Sequence, residues 1–284
     1  MAPAKINLGL WVGKRRPDGY HEIITTMVPL EFGDYIKITK EAKGIEVKTT
    51  GIRFDVNEKD NLAYRAAELF FAAAKINAGC SIVIEKCIPL GSGLGGGSSD
   101  AATVLAGLNR LYHQPLNPKR VQDLALQLGS DVPFFLKGVP CIARGRGEKL
   151  RPISLPRLLV LLYCPAFPVS TSWAYQELDR IRRKLTPPPV FPKIIGLKLR
   201  RGKLAGLAAQ IYSSFEPVVF RRYPELAQVK KLLLRRGAYV ASLSGSGSTV
   251  YGLLKAPDPM AELMNSGLPW IFTRSRPSVR LSRI

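Results

Sequence analysis

An α+β architecture in two domains, residues 1–152 and 153–284, with a ligand cleft between them, is what this sequence predicts. Three observations carry the prediction. The chain runs to 284 residues, enough to bury a real core and by default enough for two domains. Its first half alternates segments of strand character with segments of helical period. A composition shift falls near Arg151 to Pro156, and the alternation resumes beyond it with no internal repeat.

The apolar segment Ala4 to Leu8 reads as a strand that carries Lys5 and Asn7 on one face, because strand residues two apart share a side. Arg16-Pro-Asp-Gly is a turn sequence. Tyr35 to Thr39 and Ile45 to Thr49 read as strands, and Asn61 to Ala74 as a helix with apolar Leu62, Ala66, Leu69 and Phe70. Ser81 to Ile88 is β-branched and stops at Pro89, so it too reads as a strand. Ala101, Val104, Leu105, Leu108, Leu111 and Tyr112 then recur at helical spacing, with Ser98 or Ser99 as the natural N-cap and Asp100 in the first turn. Val121 to Leu128 continues in helical period. Leu158 to Tyr163 is a buried-strand candidate, Thr171 to Lys184 a helix, and Thr186-Pro-Pro-Pro-Val-Phe-Pro an extended connector. Leu204 to Tyr212 and Pro224 to Arg235 read as helices, and Tyr239 to Leu243 and Thr249 to Leu254 as paired strands around Ser244-Gly-Ser-Gly-Ser.

Between the strand ending at Pro89 and the following helix lies Leu90-Gly-Ser-Gly-Leu-Gly-Gly-Gly-Ser-Ser. Glycine lets a backbone approach an anion closely and adopt positive φ. A helix N-terminus adds unpaired N–H groups and the positive end of a dipole. Strand, loop and helix in succession make a phosphate cradle, against the alternative of a flexible surface linker. No Lys follows a suitable glycine as a P-loop needs. Gly91, Gly93 and Gly96 satisfy the dinucleotide pattern Gly-x-Gly-x-x-Gly, but no acid at the end of a following strand accompanies them. The His-Arg-Asp and Asp-Phe-Gly motifs of protein kinases do not occur.

Three stretches, Pro3-Ala-Lys-Ile-Asn-Leu-Gly-Leu, Leu90 through Ala102, and Leu243-Ser-Gly-Ser-Gly-Ser-Thr, resemble the first, second and third motifs of the GHMP small-molecule kinases. Gly19-Tyr-His-Glu-Ile, Leu128-Gly-Ser-Asp-Val-Pro-Phe-Phe-Leu and Ala143-Arg-Gly-Arg-Gly-Glu resemble the branch of that family whose phosphate acceptor is a cytidine-diphosphate-linked methylerythritol. The resemblance runs in family order from residue 2 to about 255. Ser92 stands where Ala is more usual and Leu243 where Met is common. The chain starts almost on the first motif, so a few residues of the usual first strand are expected to be absent. The resemblance implies a two-domain GHMP kinase fold with its active site in the inter-domain cleft. It implies ATP and magnesium as cofactors and phosphorylation of the 2-hydroxyl of that small molecule, on the non-mevalonate route to isoprenoids. A kinase of the same family for another small alcohol, of homoserine or mevalonate type, is the alternative, and the Gly-Tyr-His stretch and a paired aromatic argue against it.

Phosphoryl transfer to a hydroxyl needs a phosphate cradle, positive charge on the moving group, a base or orienting group and a shaped pocket. The cradle comprises Pro89, Gly91, Gly93, Leu94, Gly95, Gly96, Gly97, Ser98 and Ser99, with the serine hydroxyls as donors or magnesium ligands. Asp131, beside the apolar Val132-Pro-Phe-Phe-Leu, is the candidate base; by sequence it equally reads as the N-cap of a short helix at Pro133, and the resemblance favours the base. Lys5 lies in an apolar strand, where a cation needs an anionic partner. The resemblance implies that it polarises the hydroxyl, the alternative being a Lys exposed at a strand edge. Asn7 could hydrogen-bond the polyol or Asp131. The resemblance further implies that Tyr20 and Tyr175 stack on the two faces of cytosine, that His21 hydrogen-bonds it, and that Thr171 touches the same substrate. It places Asn61 near the nucleoside of ATP, and Gly245 and Ser246 near the phosphates. Core packing is the alternative for Tyr175, with Trp173 exposed instead. A plain N-cap is the alternative for Asn61, and a tight hairpin for Gly245 to Thr249.

Composition bounds the rest. The formal net charge is +21, and from Arg180 to Arg236 fifteen Lys or Arg stand against two acids, Glu216 and Glu225. A basic stripe is the footprint of nucleic-acid binding, so a nucleotide- or nucleic-acid-binding protein without catalysis is a reading of a second class. No zinc finger, helix-turn-helix or RNA-binding aromatic motif accompanies the charge, and a solvated basic surface that attracts anionic substrates is expected. No apolar run reaches membrane-spanning length and no signal peptide is read, so no membrane partner is expected. Cys80, Cys87, Cys141 and Cys164 form no Cys-x-x-Cys pair. Reduced thiols are expected, with neither a metal site nor a disulfide framework, which fits a cytoplasmic protein.

Overall fold

A computed structural model describes residues 1–52, 58–181, 199, 207, 211–256, 261–264 and 266–276. The Pro-rich connector at 186–192, the end of the helix expected to reach Lys184 and most of the one expected over 204–212 lie outside those residues; Ile211 and Tyr212 are described and are not helical. The chain forms two compact units. One holds Met1–Ala4, Phe32–Leu90 and Gly95–Gly138; the other holds Lys5–Glu31, Gly91–Leu94 and Val139–Ile284. A reading along the chain expects a single cut near residue 152. Contacts divide it differently because β1 (Ala2–Arg15) and β2 (His21–Glu41), at 14 and 21 residues, each give residues to both units. Such strands are far longer than usual.

In the first unit the end of β2 pairs antiparallel with β4 (Gly79–Lys86), Tyr35 opposite Glu85, and β3 (Ile45–Gly51) pairs parallel with β4, Ile45 opposite Cys80. Parallel neighbours need a crossover, and the chain between them contains α1 (Leu62–Ala74). Buried Ala63, Ala66, Ala67, Phe70 and Phe71 recur at helical spacing, so alanines and phenylalanines form the inner face, and Leu62 and Leu69 are only half-buried. On β4, Cys80, Ile82 and Ile84 are buried at strand period, which carries Lys86 to the same buried side. α2 (Gly96–Leu111), α3 (Pro118–Leu128) and α4 (Val132–Lys137) complete the unit around Val104, Leu105, Leu108, Leu124 and Phe134.

One expected boundary is corrected. α2 starts at Gly96, and its N-cap is Gly95 in the left-handed conformation at φ 77, so Ser98 and Ser99 lie within the first turn instead of capping it. Glycine takes that conformation without a Cβ penalty, which lets the loop turn into the helix earlier than a serine cap would.

In the second unit the start of β2 pairs with β5 (Cys141–Gly145), Ile23 opposite Gly145, and β5 pairs with β6 (Lys149–Pro152). A separate antiparallel sheet runs in the order β10-β7-β9-β8, from β7 (Leu159–Tyr163), β8 (Val240–Leu243), β9 (Val250–Leu254) and β10 (Trp270–Arg274). Leu243 opposes Val250, so residues 244–249 form a hairpin turn as expected. α5 (Thr171–Ile181), α6 (Glu216–Arg222), α7 (Pro224–Arg235) and α8 (Ala261–Met264) complete the described helices. Glu216 is buried, and its carboxylate accepts from Lys230 of α7 at 2.6 Å and from Ser242 Oγ and the Leu243 N–H of β8 at 2.8 and 3.2 Å. Fully partnered in this way, it fixes the strand that leads into the serine-glycine turn. Among the described residues no helix is long and apolar enough to cross a membrane. All four cysteines are unpaired.

Candidate functional site

Three motifs far apart in sequence meet within the second unit. Lys5 is buried at 4% exposure, which removes the exposed-edge alternative. Its Nζ donates to Asn7 Oδ1 at 2.7 Å and to the Gly93 carbonyl at 2.9 Å. Asn7 Nδ2 donates to Thr25 Oγ1 at 3.0 Å, and Thr25 Oγ1 donates to the Gly9 carbonyl at 2.7 Å. The Gly93 carbonyl also accepts from Ser244 Oγ at 3.0 Å, and the Gly245 carbonyl accepts from Ser213 Oγ at 2.9 Å. A Cβ on Gly245 would lie 3.5 Å from Lys5 Nζ and 3.4 Å from Asn7 Oδ1. The cation, its carboxamide neighbour, the glycine loop and the serine-glycine hairpin thus form one hydrogen-bonded knot, and Ser246, the residue after Gly245, has its Oγ 3.0 Å from Thr171 Oγ1.

Gly93 has φ +77, and a Cβ there would stand 2.1 Å from the Ser244 carbonyl oxygen. Gly93→Ala is therefore expected to open the knot, at a cost of about 1–2 kcal/mol for the left-handed backbone alone. Displacing the loop by an ångström should lower the kcat/KM of whatever reaction this site performs on the order of 100-fold. Steady-state kinetics check this, and wild-type values would show that the close approach at Gly93 is dispensable.

The rest of the loop belongs to the first unit. With Gly95 as cap and no capping side chain, the N–H groups of Gly96, Gly97 and Ser98 lack intrahelical partners; the Ser99 N–H returns to the Gly95 carbonyl at 2.9 Å. Ser99 is fully buried, and its Oγ has no hydrogen-bond partner among the described residues. A Cβ on Gly97 would meet Leu62 Cδ1 at 3.6 Å, so the start of α1 lies beside the start of α2. Asn61 is the N-cap of α1, its Oδ1 accepting from the Ala63 N–H at 2.9 Å. Asp131 stands at the N-cap position of α4, but its side chain makes no capping bond. Its carboxylate is half-buried, and Val132, Pro133, Phe134 and Phe135 after it are buried.

Below the helix start lies a cluster that reading the sequence overlooked. Lys86 Nζ donates to Asp34 Oδ2 at 2.5 Å and to Asp100 Oδ2 at 2.6 Å; Asp34 Oδ1 accepts the N–H groups of Cys87 and Ile88 at 2.6 and 2.8 Å. A Cβ on Gly96 would sit 3.4 Å from Lys86 Nζ. Burial disfavours the Lys86 ammonium, yet the charges of Asp100 and Asp34 hold its pKa above the usual lysine value. Burial pushes Asp100 up to about 7, against the pull of Lys86 and with the Asp34 charge adding to the rise. The signal for Lys86 was in the sequence, as a lysine at the buried period of an apolar strand.

The residues implicated in reading a nucleobase lie at the start of β2 and on α5. Tyr20 is 51% exposed, with the Arg146 guanidinium 4.9 Å from its ring centroid. His21 is buried, and its ring stacks on Tyr175 at 4.8 Å with planes 20° apart. The expected arrangement had cytosine between Tyr20 and Tyr175; here one face of Tyr175 is covered by His21. Trp173 is half-buried and meets Tyr223 edge-on. Asp179 carries no motif signal of its own, and Arg146, though it lies in the Ala143-Arg-Gly-Arg-Gly-Glu stretch, was given no role from sequence.

The chain matches family models for the GHMP kinases N terminal domain over residues 61–139 and GHMP kinases C terminal over residues 197–266. It is 42% identical over 255 residues to the 4-diphosphocytidyl-2-C-methyl-D-erythritol kinase of Pelotomaculum thermopropionicum, covering 89% of this chain and 88% of that protein. A crystal structure of 4-(cytidine 5'-diphospho)-2C-methyl-D-erythritol kinase superposes with a TM-score of 0.82 at 37% identity, covering 96% of this chain and 97% of the other. Leishmania major mevalonate kinase superposes at 0.71 with 18% identity over 98% and 95% of the two chains, a likeness of fold alone.

Proposed function

The chain belongs to the GHMP kinase family, and from that premise we infer the reaction its residues serve. It transfers the terminal phosphate of ATP to the 2-hydroxyl of 4-diphosphocytidyl-2-C-methyl-D-erythritol, on the non-mevalonate route to isoprenoid precursors. The observation that carries the kinase chemistry is the buried knot of Lys5, Asn7, Gly93 and Ser244. A buried ammonium bonded to the glycine loop is suited to stabilise charge on a phosphoryl group as it moves.

In this reading the free N–H groups of Gly96 to Ser98 bind ATP phosphates, with Pro89, Gly91, Leu94 and Gly95 shaping the approach. Asn61, beside that helix start, contacts the nucleoside. The orphaned Ser99 hydroxyl and Ser98 are the side chains fitted to hold magnesium, which when bound offsets negative charge on the phosphates. Lys5 polarises the 2-hydroxyl and Asn7 orients the polyol. Asp131, whose carboxylate is not spent on its helix, takes the hydroxyl proton. Tyr20, His21 and Tyr175 recognise the cytidyl group, and Thr171, Gly245 and Ser246 contact the same substrate. A cytoplasmic setting belongs to this reading, supported by the unpaired cysteines.

Purified protein should release ADP from ATP only when the cytidyl substrate is present. ADP formed without it, or only with homoserine or mevalonate, would overturn the reading. Tyr175→Ala should raise the KM for the cytidyl substrate roughly tenfold, the scale of one lost aromatic contact to a base, and leave the KM for ATP unchanged. An unaltered KM for the cytidyl substrate would remove Tyr175 from recognition.

A further inference from the structure

His21 follows the exposed Tyr20 directly, and two residues of α5 grip its ring. Nε2 lies 2.9 and 3.1 Å from the two carboxylate oxygens of Asp179. Tyr175, four residues earlier on the same helix, stacks on the imidazole face. Residues four apart share a helix face, so one turn of α5 presents an acid and a ring to a single imidazole. Tyr175 is itself braced edge-on by buried Phe215 at 4.8 Å. The ring thus limits tilting of the imidazole plane, and the acid limits its rotation.

An ionised carboxylate only accepts hydrogen bonds, so Nε2 carries a proton. A neutral imidazole then has a bare Nδ1 that can only accept. The hydrogen bonds His21 makes through its ring among the described residues are those at Nε2.

We propose that Asp179 is a positioning residue for substrate recognition: it holds His21 as the Nε2–H tautomer, so that Nδ1 accepts a hydrogen bond from an N–H or O–H group of the cytidine diphosphate portion. The donor is the exocyclic amine of cytosine or a ribose hydroxyl. This rests on the reading of Tyr20 and His21 as the cytidyl-recognising pair. Asp179 touches no reacting atom, so its loss acts on binding and leaves the phosphate-transfer step intact.

The test joins spectroscopy to kinetics on the full chain. In the free protein at neutral pH, ¹⁵N NMR of His21 should show a protonated Nε2 and a bare Nδ1. Asp179→Ala should give a mixture of tautomers, and Asp179→Asn, whose carbonyl still accepts, should retain the Nε2–H form. Asp179→Ala should raise the KM for the cytidyl substrate roughly tenfold, with kcat and the KM for ATP within about twofold, and Asp179→Asn should recover most of the loss. Cytidine and uridine diphosphates as competitive inhibitors identify the donor. If the amine donates, the wild type favours cytidine diphosphate and Asp179→Ala loses the preference; if a hydroxyl donates, both inhibitors weaken alike.

A proton on Nδ1 in the wild type overturns the proposal. So does an unchanged KM for the cytidyl substrate in Asp179→Ala, or a parallel loss in kcat and ATP binding. If the wild type fails to phosphorylate the cytidyl substrate, the functional reading falls, while the tautomer of His21 still reports on Asp179.

Discussion

Replacing Asp131 with Asn is expected to lower kcat by roughly 10²–10⁴-fold, the usual contribution of a positioned acid or base, with little change in the affinity for ATP or the cytidyl substrate. The substitution keeps the shape of the side chain and removes its capacity to take a proton. Asp131 occupies the N-cap position of α4, where an aspartate ordinarily satisfies a backbone N–H, yet makes no capping bond. Its helix is anchored through buried Val132, Pro133, Phe134 and Phe135, so Asn should fold normally. Turnover measured at saturating substrates, with calorimetric affinities for each, separates the two effects. A variant with near-normal kcat would rule Asp131 out as the base, and one that lost binding as severely as turnover would make it a binding group.

Lys86→Met is expected to destabilise the protein by about 3–5 kcal/mol, because it strands the buried carboxyls of Asp34 and Asp100 without their shared cation. Urea unfolding reads this as a lower midpoint, and a change below about 1 kcal/mol would show that the cluster relaxes at little cost. The same cluster predicts a pH dependence. Asp100 has its pKa raised from the ordinary 3.8 to about 7, chiefly by burial, so the folded chain binds that proton more tightly than the unfolded one. The stability this contributes is complete below the unfolded value and is lost as pH rises through about 7. Asn resembles the protonated carboxyl in shape and donors. Asp100→Asn should therefore match the wild type at pH 3, below the unfolded value, and exceed it at pH 8. An advantage that is equal at both pH values would contradict the shift. Because Lys86 and Asp100 support the first turn of α2, these variants also measure how firmly that helix start is held.

Much of the fold was legible because its signals are local. The Asn61 helix, the helix from Pro224 to Arg235 and the strand pair around Ser244-Gly-Ser-Gly-Ser follow from period and turn residues, and the structure places all three within a residue or two. The start of α2 was misplaced because serines are strong caps in general, while the one glycine that takes the left-handed cap conformation, Gly95, is not distinguished from its glycine neighbours by the sequence. Of the candidate site, Lys5, Asn7, the glycine loop and Asp131 were legible from residue type and motif. Asp179 and Asp34 were not, since a single acid on a polar helix or within a long strand carries no distinguishing pattern.

By itself the sequence determined the kind of chemistry. A glycine-serine run between a strand and a helix can cradle phosphate wherever it occurs, because backbone N–H groups and a helix dipole do the binding, and ordered motifs from residue 2 to about 255 set the family. Only the tertiary structure decided which groups hold those motifs in working geometry. Lys5 meets Gly93 across 88 residues, Ser244 meets Gly93 across 151, His21 meets Asp179 across 158, and Lys86 joins Asp34 across 52. Hydrogen bonds and buried ion pairs depend on distance and desolvation in three dimensions, and local patterning encodes neither until the chain has folded.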